Sequence, residues 1–277
     1  KKIFNSLNIK EKRKNIKIGK QIIQNRFSGS YGKYLPHMKN WNEQDKNLVE
    51  NFKLEKNKKK YVIYSHCFWD YVHKFRHSIF YDFQHWIEET IKILQKKKNI
   101  QIFIKPHPND YQNNIKTLKL IKNKYPEIII LSNVHNLNYI TKLKPELVIS
   151  VYGTVGHELP LKKIPVLNAG DNHHVSFNFC LTAKNYKDYK NKILNIDYYK
   201  KQINFNKEDI YKFCYMHYHY FYTLYDRENL INDDMFSFDD ISKSNSSRNL
   251  IKFVKNFDQI YKNFNKYSEK LFEDTKK

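Results

Sequence analysis

Short apolar runs alternate with helix-like segments between about residues 60 and 185, and this alternation constrains the fold more than any other feature. Segments with apolar residues at three- and four-residue steps, such as 78–97 and 111–124, separate the runs. Strands that alternate with helices predict an α/β fold with a doubly wound parallel sheet. The five predicted strands are Tyr61–Tyr64, Ile100–Ile104, Glu127–Leu131, Leu147–Val151 and Pro165–Leu167, with Leu181–Ala183 as a sixth short candidate.

The flanking segments differ in character, and the chain is predicted to have three parts. Residues 1–59 predict a helical and linker remnant of a preceding domain, residues 60–185 the sheet domain, and residues 186–277 a C-terminal helical extension. The chain begins with Lys1 and Lys2 rather than Met, so we expect it to be part of a longer polypeptide. Smaller predicted features are a helical patch at 16–23, a loop at 26–32, a charged helix or linker at 41–60, helices at 186–194, 209–225 and 249–272, and a loop at 232–247.

The net charge of +22 indicates a strongly basic surface that would attract phosphorylated substrates, anionic lipid or nucleic acid. Its lysines are spread along the whole chain, which is also typical of a solvated surface with no specific partner. Scattered lysines, few arginines and no recognised motif count against nucleic acid.

The cysteine pattern and the apolar pattern both indicate a protein of the cytoplasm. Cys67, Cys180 and Cys214 are far apart and form no C-x-x-C pair, which argues against structural zinc and a disulfide framework. No apolar run reaches the ~20 residues that span a bilayer, and no signal peptide is evident. We therefore expect a cytoplasmic location, with peripheral association at the inner face of the membrane as an extension of that prediction.

Glycine is scarce, and three of the six glycines lie between positions 153 and 170, on either side of the predicted strand Pro165–Leu167. They are Gly153, Gly156 and Gly170. Glycine allows a backbone to approach a ligand closely, and a strand–turn–helix unit of this kind predicts a phosphate at the helix start. The alternative is that Gly153 and Gly156 are ordinary loop glycines.

Polar residues follow each predicted strand, and the carboxyl ends of parallel strands meet at one edge of a sheet. Lys105 and His107 flank prolines that fix the backbone, so together they could bind a phosphate without a metal. The alternative for His107 is a capping role in a tight turn. The polar residues in strand order are Ser65, His66 and Asp70; Lys105 and His107; Ser132 and Asn133; Ser150 and Thr154; and Asp171, His173 and His174.

Two further groups leave alternatives open. Glu158 is one helical turn beyond Thr154, where it could accept hydrogen bonds from two ribose hydroxyls or be an exposed carboxylate near a helix end. The adjacent His173 and His174 lack the spacing of a metal site, so a sugar or phosphate contact, or a plain loop, is the better interpretation.

Four segments together resemble a known family. SHCFWD (65–70), FYDFQHWIEETI (80–91), IKPHPND (104–110) and SVYGTVGHELPLKKIPVLNAG (150–170) are similar to the nucleotide-binding half of bacterial capsule polysaccharide and surface-carbohydrate glycosyltransferases of the GT-B type. The KPHP segment resembles the His-Pro motif of capsule Kdo transferases and bacterial sialyltransferases. The resemblance covers about residues 60–185.

This resemblance implies roles for individual residues. It implies His107 at the donor phosphate or nucleotide, Ser150 and Thr154 beside it, and Glu158 on the ribose. It also implies a nucleotide-sugar, linked to CMP or UDP, as donor substrate, with no other cofactor. GT-B enzymes have a preceding domain that holds the acceptor, whereas only sixty residues precede this sheet, so that domain is cut away, reduced or supplied by a partner subunit.

The leading hypothesis is therefore a metal-independent glycosyltransferase acting on a glycan or lipid-linked acceptor of capsule or lipopolysaccharide. Backbone amides at Gly153–Gly156 would hold the donor phosphate with Lys105 and His107, and Asp171 and His173 would contact the sugar. The candidates for the base are His66 and Asp70. The alternatives are a nucleotide-sugar 2-epimerase of the same fold, a nucleic-acid-binding protein and a non-catalytic partner subunit.

Overall fold

The computed structural model of the chain describes residues 2–28, 54–68, 77–107, 113–132 and 137–220. The predicted loop at 232–247 and the predicted helix at 249–272 lie outside these residues, as do Asp70, Asn133 and most of the segment at 41–60. The described chain divides into two compact units. One comprises the described residues between 23 and 210, and the other combines residues 2–22 with residues 211–220. The predicted domain boundaries at 59/60 and 185/186 stay predictions.

Six parallel strands form the sheet of the first unit, in the order β3-β2-β1-β4-β5-β6. This order is that of a doubly wound, Rossmann-like sheet, so the predicted α/β fold is confirmed. The strands are β1 (Lys59–Tyr64), β2 (Ile100–Lys105), β3 (Ile129–Ile130), β4 (Leu147–Ser150), β5 (Val166–Asn168) and β6 (Leu181–Thr182).

Both faces of the sheet are covered. Tyr61 and Ile63 of β1 belong to a buried cluster with residues of the neighbouring helices, while the intervening Val62 is also fully buried. The same alternation holds along β2 and β4. Strands buried on both faces explain why the sequence shows continuous apolar runs rather than a period of two.

The helices follow the strands as the sequence predicts, with differences at their ends. The predicted cap of the helix after β1 is wrong, because that helix begins after Asp82, whose side chain accepts a hydrogen bond from His85 N at 2.7 Å, and not at Ser78. The helices are α1 (Lys2–Ser6), α2 (Ile9–Phe27), α3 (Phe83–Leu94), α4 (Asn113–Lys124), α5 (Leu137–Leu143), α6 (Val155–Glu158), α7 (Tyr186–Leu194), α8 (Ile196–Tyr199) and α9 (Lys207–Cys214).

Two predicted segments have a different extent in the structure. The loop predicted from Arg26 begins later, because α2 continues through Phe27. The helix predicted after Gly156 is short, since α6 ends at Glu158 and a 3-10 turn continues only to Lys162. Pro160 has no N–H to donate to an α-helical turn, and Lys163 takes a left-handed φ of 59°, so the helix cannot extend.

A buried polar network joins α3 to α7. The Tyr189 hydroxyl accepts a hydrogen bond from Trp86 Nε1 at 2.9 Å and lies 2.6 Å from Thr90 Oγ1. Burial raises the pKa of the Tyr189 hydroxyl, which keeps it protonated at neutral pH. The predicted helix at 186–194 is therefore packed on the sheet unit.

The second unit contains the first part of α2, the end of α9 and a π-helical turn at Tyr215–Tyr220. Gly19 of α2 lies against the backbone of α9, since a β-carbon at this position would be 1.9 Å from the Tyr211 carbonyl oxygen. Phe4 meets Tyr215 edge to face, with 6.0 Å between the ring centroids. No helix in the described ranges is both long and apolar enough to cross a bilayer.

Candidate functional site

The strand order reverses direction between β1 and β4, and ligands of such sheets bind outside the carboxyl ends of the strands at this point. Three of the predicted polar segments meet here. The first follows β1, the second follows β2 and the third follows β4. Ser65 links the first two, because its N–H donates to the Lys105 carbonyl at 3.0 Å and its Oγ accepts from His107 N at 3.2 Å.

His66 links the loop after β1 to the loop after β4. Its Nε2 lies 3.3 Å from Ser150 Oγ, and the same oxygen accepts a hydrogen bond from Gly153 N at 3.1 Å. Phe83 stacks on the imidazole with 4.7 Å between the ring centroids, Tyr152 packs against it in a tilted arrangement at 4.5 Å, and His66 is 7% exposed. This enclosure fixes the ring and holds the Gly153 turn against the end of β4.

His107 is half-buried and its ring contacts a second side chain of the loop after β1. The Nδ1 atom of His107 lies 3.3 Å from Cys67 Sγ. Lys105 is almost fully buried and its Nζ donates to the Pro106 carbonyl at 3.0 Å. Cys67 is a member of this group that was not predicted, and the one signal for it in the sequence is that it directly follows His66 in the loop.

The residues after β5 divide into exposed and buried positions. Asp171 and His173 are both partly exposed, and Asp171 N donates to the His77 carbonyl at 2.9 Å. His174 is fully buried, with Nε2 3.2 Å from Asn168 Nδ2. Asn168 also contacts Cys180, and burial raises the pKa of the Cys180 thiol, so this sulfur stays protonated.

Glu158 forms a buried ion pair that nothing in the sequence predicts. Both Nε and Nη2 of Arg26, in the last turn of α2, contact Glu158 Oε1. The two residues are 5% and 2% exposed, so the carboxylate is not the exposed one considered as an alternative. Phe27, the next residue of α2, accepts a hydrogen bond from Asn138 Nδ2 at 3.1 Å and carries Lys162 Nζ above its ring. The end of α2 is therefore anchored on the sheet unit.

Each of the three clustered glycines lies close to another part of the protein. A β-carbon at Gly153 would be 2.6 Å from Ser150 Oγ, and one at Gly156 would be 2.1 Å from His174 Nε2. Gly170 has a φ of +119°, which favours glycine, and its missing β-carbon makes room for the His77 carbonyl. Gly156 N also donates to the Gly153 carbonyl at 3.0 Å. Internal packing therefore accounts for glycine at these positions, while Thr154 is partly exposed and forms no side-chain cap.

Gly156→Ala is expected to lower the free energy of unfolding by about 1–3 kcal/mol, because the added methyl group collides with a buried imidazole. Alanine would otherwise stabilise a helical position, so the sign of the change is informative. Urea denaturation measures the effect. His174→Ala should then be less costly when combined with Gly156→Ala than alone, since it relieves the collision. A stable variant that loses only ligand binding would instead show that Gly156 serves ligand approach.

Within the described ranges, no group of three or more His, Cys, Asp or Glu side chains is arranged to hold a metal ion.

No protein-family model matches the chain, and no curated protein matches it either. Solved structures do resemble it. They include UDP-GlcNAc 2-epimerase from Neisseria meningitidis bound to UDP-GlcNAc, with a TM-score of 0.42 and 15% identity over 62% of this chain and 45% of that one. A UDP co-structure of MnaA from S. aureus has a TM-score of 0.41 and 13% identity over 66% of this chain and 51% of that one. The wall teichoic acid polymerase TagF has a TM-score of 0.38 and 16% identity over 63% of this chain and 45% of that one. The chain spans about half the length of these structures, and the similarity is one of fold.

Proposed function

We propose that this chain is the nucleotide-sugar-binding part of a metal-independent glycosyltransferase that acts on a bacterial surface polysaccharide. The observation that carries this proposal is the convergence of Ser65, His107 and Ser150 at the edge of the sheet where the strand order reverses between β1 and β4. Hydroxyl, imidazole and backbone donors at such an edge suit the phosphates of a nucleotide.

In this proposal His107 stabilises the charge that develops on the donor phosphate when the sugar leaves. The contact between His107 Nδ1 and Cys67 Sγ sets the orientation of the ring. If the thiol donates to Nδ1, the imidazole carries its proton on Nε2 and can donate it to a phosphate oxygen. Lys105 adds a positive charge from the end of β2, which strengthens this stabilisation.

The enclosure of His66 supports a positioning role rather than that of a base that meets the acceptor. Its Nε2 is directed to Ser150 Oγ, Phe83 stacks on the ring and Tyr152 packs against it, so His66 is largely buried. Asp70 remains the other proposed base. In this scheme Ser150 and Thr154 contact the nucleotide, while Asp171 and His173 contact the sugar.

Glu158 is the proposed acceptor of hydrogen bonds from the ribose hydroxyls, and its ion pair is compatible with that role in one respect. Arg26 contacts Oε1, so Oε2 takes no part in these contacts. A carboxylate held rigidly by an arginine at one oxygen can present the other to a hydroxyl at low entropic cost.

The test is nucleotide binding by the whole chain, measured as a rise in melting temperature with UDP, CMP or GDP and their sugars. A ligand that binds only the folded state at 100 times its Kd stabilises by about 2.7 kcal/mol. His107→Ala should weaken that ligand about 10- to 100-fold, because a charge-assisted hydrogen bond is lost, while leaving the unliganded melting temperature nearly unchanged.

The matched control is His219→Ala, which removes a histidine of the other compact unit and should leave nucleotide binding intact. Equal binding by wild type and His107→Ala would contradict the proposal. Conversion of a UDP-sugar in the absence of any acceptor would instead support the 2-epimerase alternative.

A further inference from the structure

One face of α2 carries a concentration of positive charge beside an open groove. The groove has a volume of about 490 Å³ and is lined by Ile9, Lys10, Arg13, Lys14 and Lys17. Positions 10, 13, 14 and 17 share one side of a helix, and all four side chains are exposed. The five lining residues all belong to the second unit.

Within the described ranges, no acidic side chain pairs with the cations of this face. Glu11 is the one acidic residue of α2, and its carboxylate accepts a hydrogen bond from Asn8 N at 3.1 Å in a capping arrangement at the start of the helix. Among the described residues none of the four cations forms an ion pair. Several lysines of the sheet unit do pair with acids, such as Lys192 with Asp188 and Lys200 with Glu146.

An exposed apolar side chain accompanies these cations. Ile9 is 71% exposed at the edge of the same groove. A soluble polyanion would gain little from an isoleucine, whereas a lipid surface offers both anionic headgroups and an apolar boundary. The four cations extend over about 10 Å of helix, which is enough to meet several headgroups.

We propose that this face of α2 docks the chain on a surface of anionic lipid. The four cations supply the attraction, and Ile9 reaches the boundary between headgroups and acyl chains. The proposal does not depend on the activity of the sheet unit, so either can fail without the other.

The experiment measures co-sedimentation of the full chain with vesicles of phosphatidylcholine alone and of phosphatidylcholine mixed with phosphatidylglycerol. We expect binding to the mixed vesicles only, and binding that weakens as salt increases. Each cation near an anionic surface contributes roughly fivefold in partition coefficient, so replacing all four should lower binding on the order of several hundredfold. The variant combines Lys10→Gln, Arg13→Gln, Lys14→Gln and Lys17→Gln.

A control variant loses the same number of charges elsewhere. It replaces exposed lysines of the sheet unit that form no ion pair in the described part of the chain, and we expect it to bind nearly as well as wild type. Thermal melting of both variants verifies that they are folded. The control combines Lys96→Gln, Lys98→Gln, Lys116→Gln and Lys119→Gln.

The outcomes separate docking by this face from general charge attraction. Equal losses in the two variants would show that only net charge matters and would overturn the proposal, as would no binding of wild type to the mixed vesicles. Ile9→Asn should reduce vesicle binding without affecting binding to a DNA oligonucleotide. Tighter binding to the oligonucleotide than to vesicles, lost in the α2 variant, would overturn the lipid assignment.

Discussion

Arg26→Met is expected to lower the free energy of unfolding by about 3–5 kcal/mol, because it leaves the carboxylate of Glu158 buried without its partner. Methionine keeps most of the length of the arginine stem, so the effect reports the lost charge more than a cavity. Urea denaturation followed by circular dichroism measures the change. A loss below about 1 kcal/mol would mean that the pair is not maintained as described.

A double substitution separates the contribution of the ion pair to stability from the contributions of the two individual side chains. Arg26→Met combined with Glu158→Gln removes both charges, and we expect it to recover much of the stability lost in either single variant. Lys92→Met provides the matched control, because Lys92 pairs with Glu89 at 2.7 Å at an exposed position where solvent screens the interaction. That variant should unfold like wild type.

Glu158→Gln also distinguishes the structural role of this residue from the proposed ribose contact. Both roles predict lower stability, since Arg26 loses its partner. Only the ribose role predicts that the folded protein itself binds UDP or CMP more weakly. Nucleotide affinity is therefore measured well below the melting temperature, where a loss of folded protein cannot explain the change. If nucleotide affinity falls only in proportion to the folded fraction, the role of Glu158 is to form the ion pair with Arg26 and not to bind the ribose.

The sheet could be predicted because the residues that indicate each strand are adjacent in the sequence. A strand of four to six apolar residues, such as Leu147–Ser150, can be recognised from its own residues, and the regular alternation of strands with helices allows few topologies. The convergence of Ser65, His107 and Ser150 then follows from the parallel order of the strands. These inferences needed no side-chain contact between distant residues.

The rest of the site could not be predicted because it depends on distant contacts. Arg26 and Glu158 are 132 positions apart, and nothing in the pattern near either residue indicates the other. Arg26 is one of only five arginines among fifty basic residues, which was a weak signal that it differs from the solvated lysines. At Gly156 the sequence predicts close approach of a ligand, while the contact with the imidazole of His174 involves a residue of another loop.

Gly19→Ala is the second substitution with a large expected effect on the free energy of unfolding. It should destabilise the protein, whereas helix propensity alone predicts stabilisation. Glycine inside a helix is about 1 kcal/mol less favourable than alanine, so Gly19→Ala would stabilise an isolated α2. In the folded chain the added methyl group would lie 1.9 Å from the Tyr211 carbonyl oxygen and 3.1 Å from Tyr215 N. Backbone atoms of a helix cannot rotate away as a side chain can, so α2 and α9 must separate. We expect a loss of about 3 kcal/mol or more.

Lys20→Ala is the control for this experiment, because Lys20 is the exposed neighbour of Gly19 and its replacement should change stability by less than about 0.5 kcal/mol. Urea denaturation of the two variants gives the comparison, and hydrogen exchange at α2 amides localises the effect. If Gly19→Ala were as stable as wild type, α2 and α9 could not approach as closely as described. A loss confined to α2 and α9, with the sheet amides still protected, would show that the two compact units open separately.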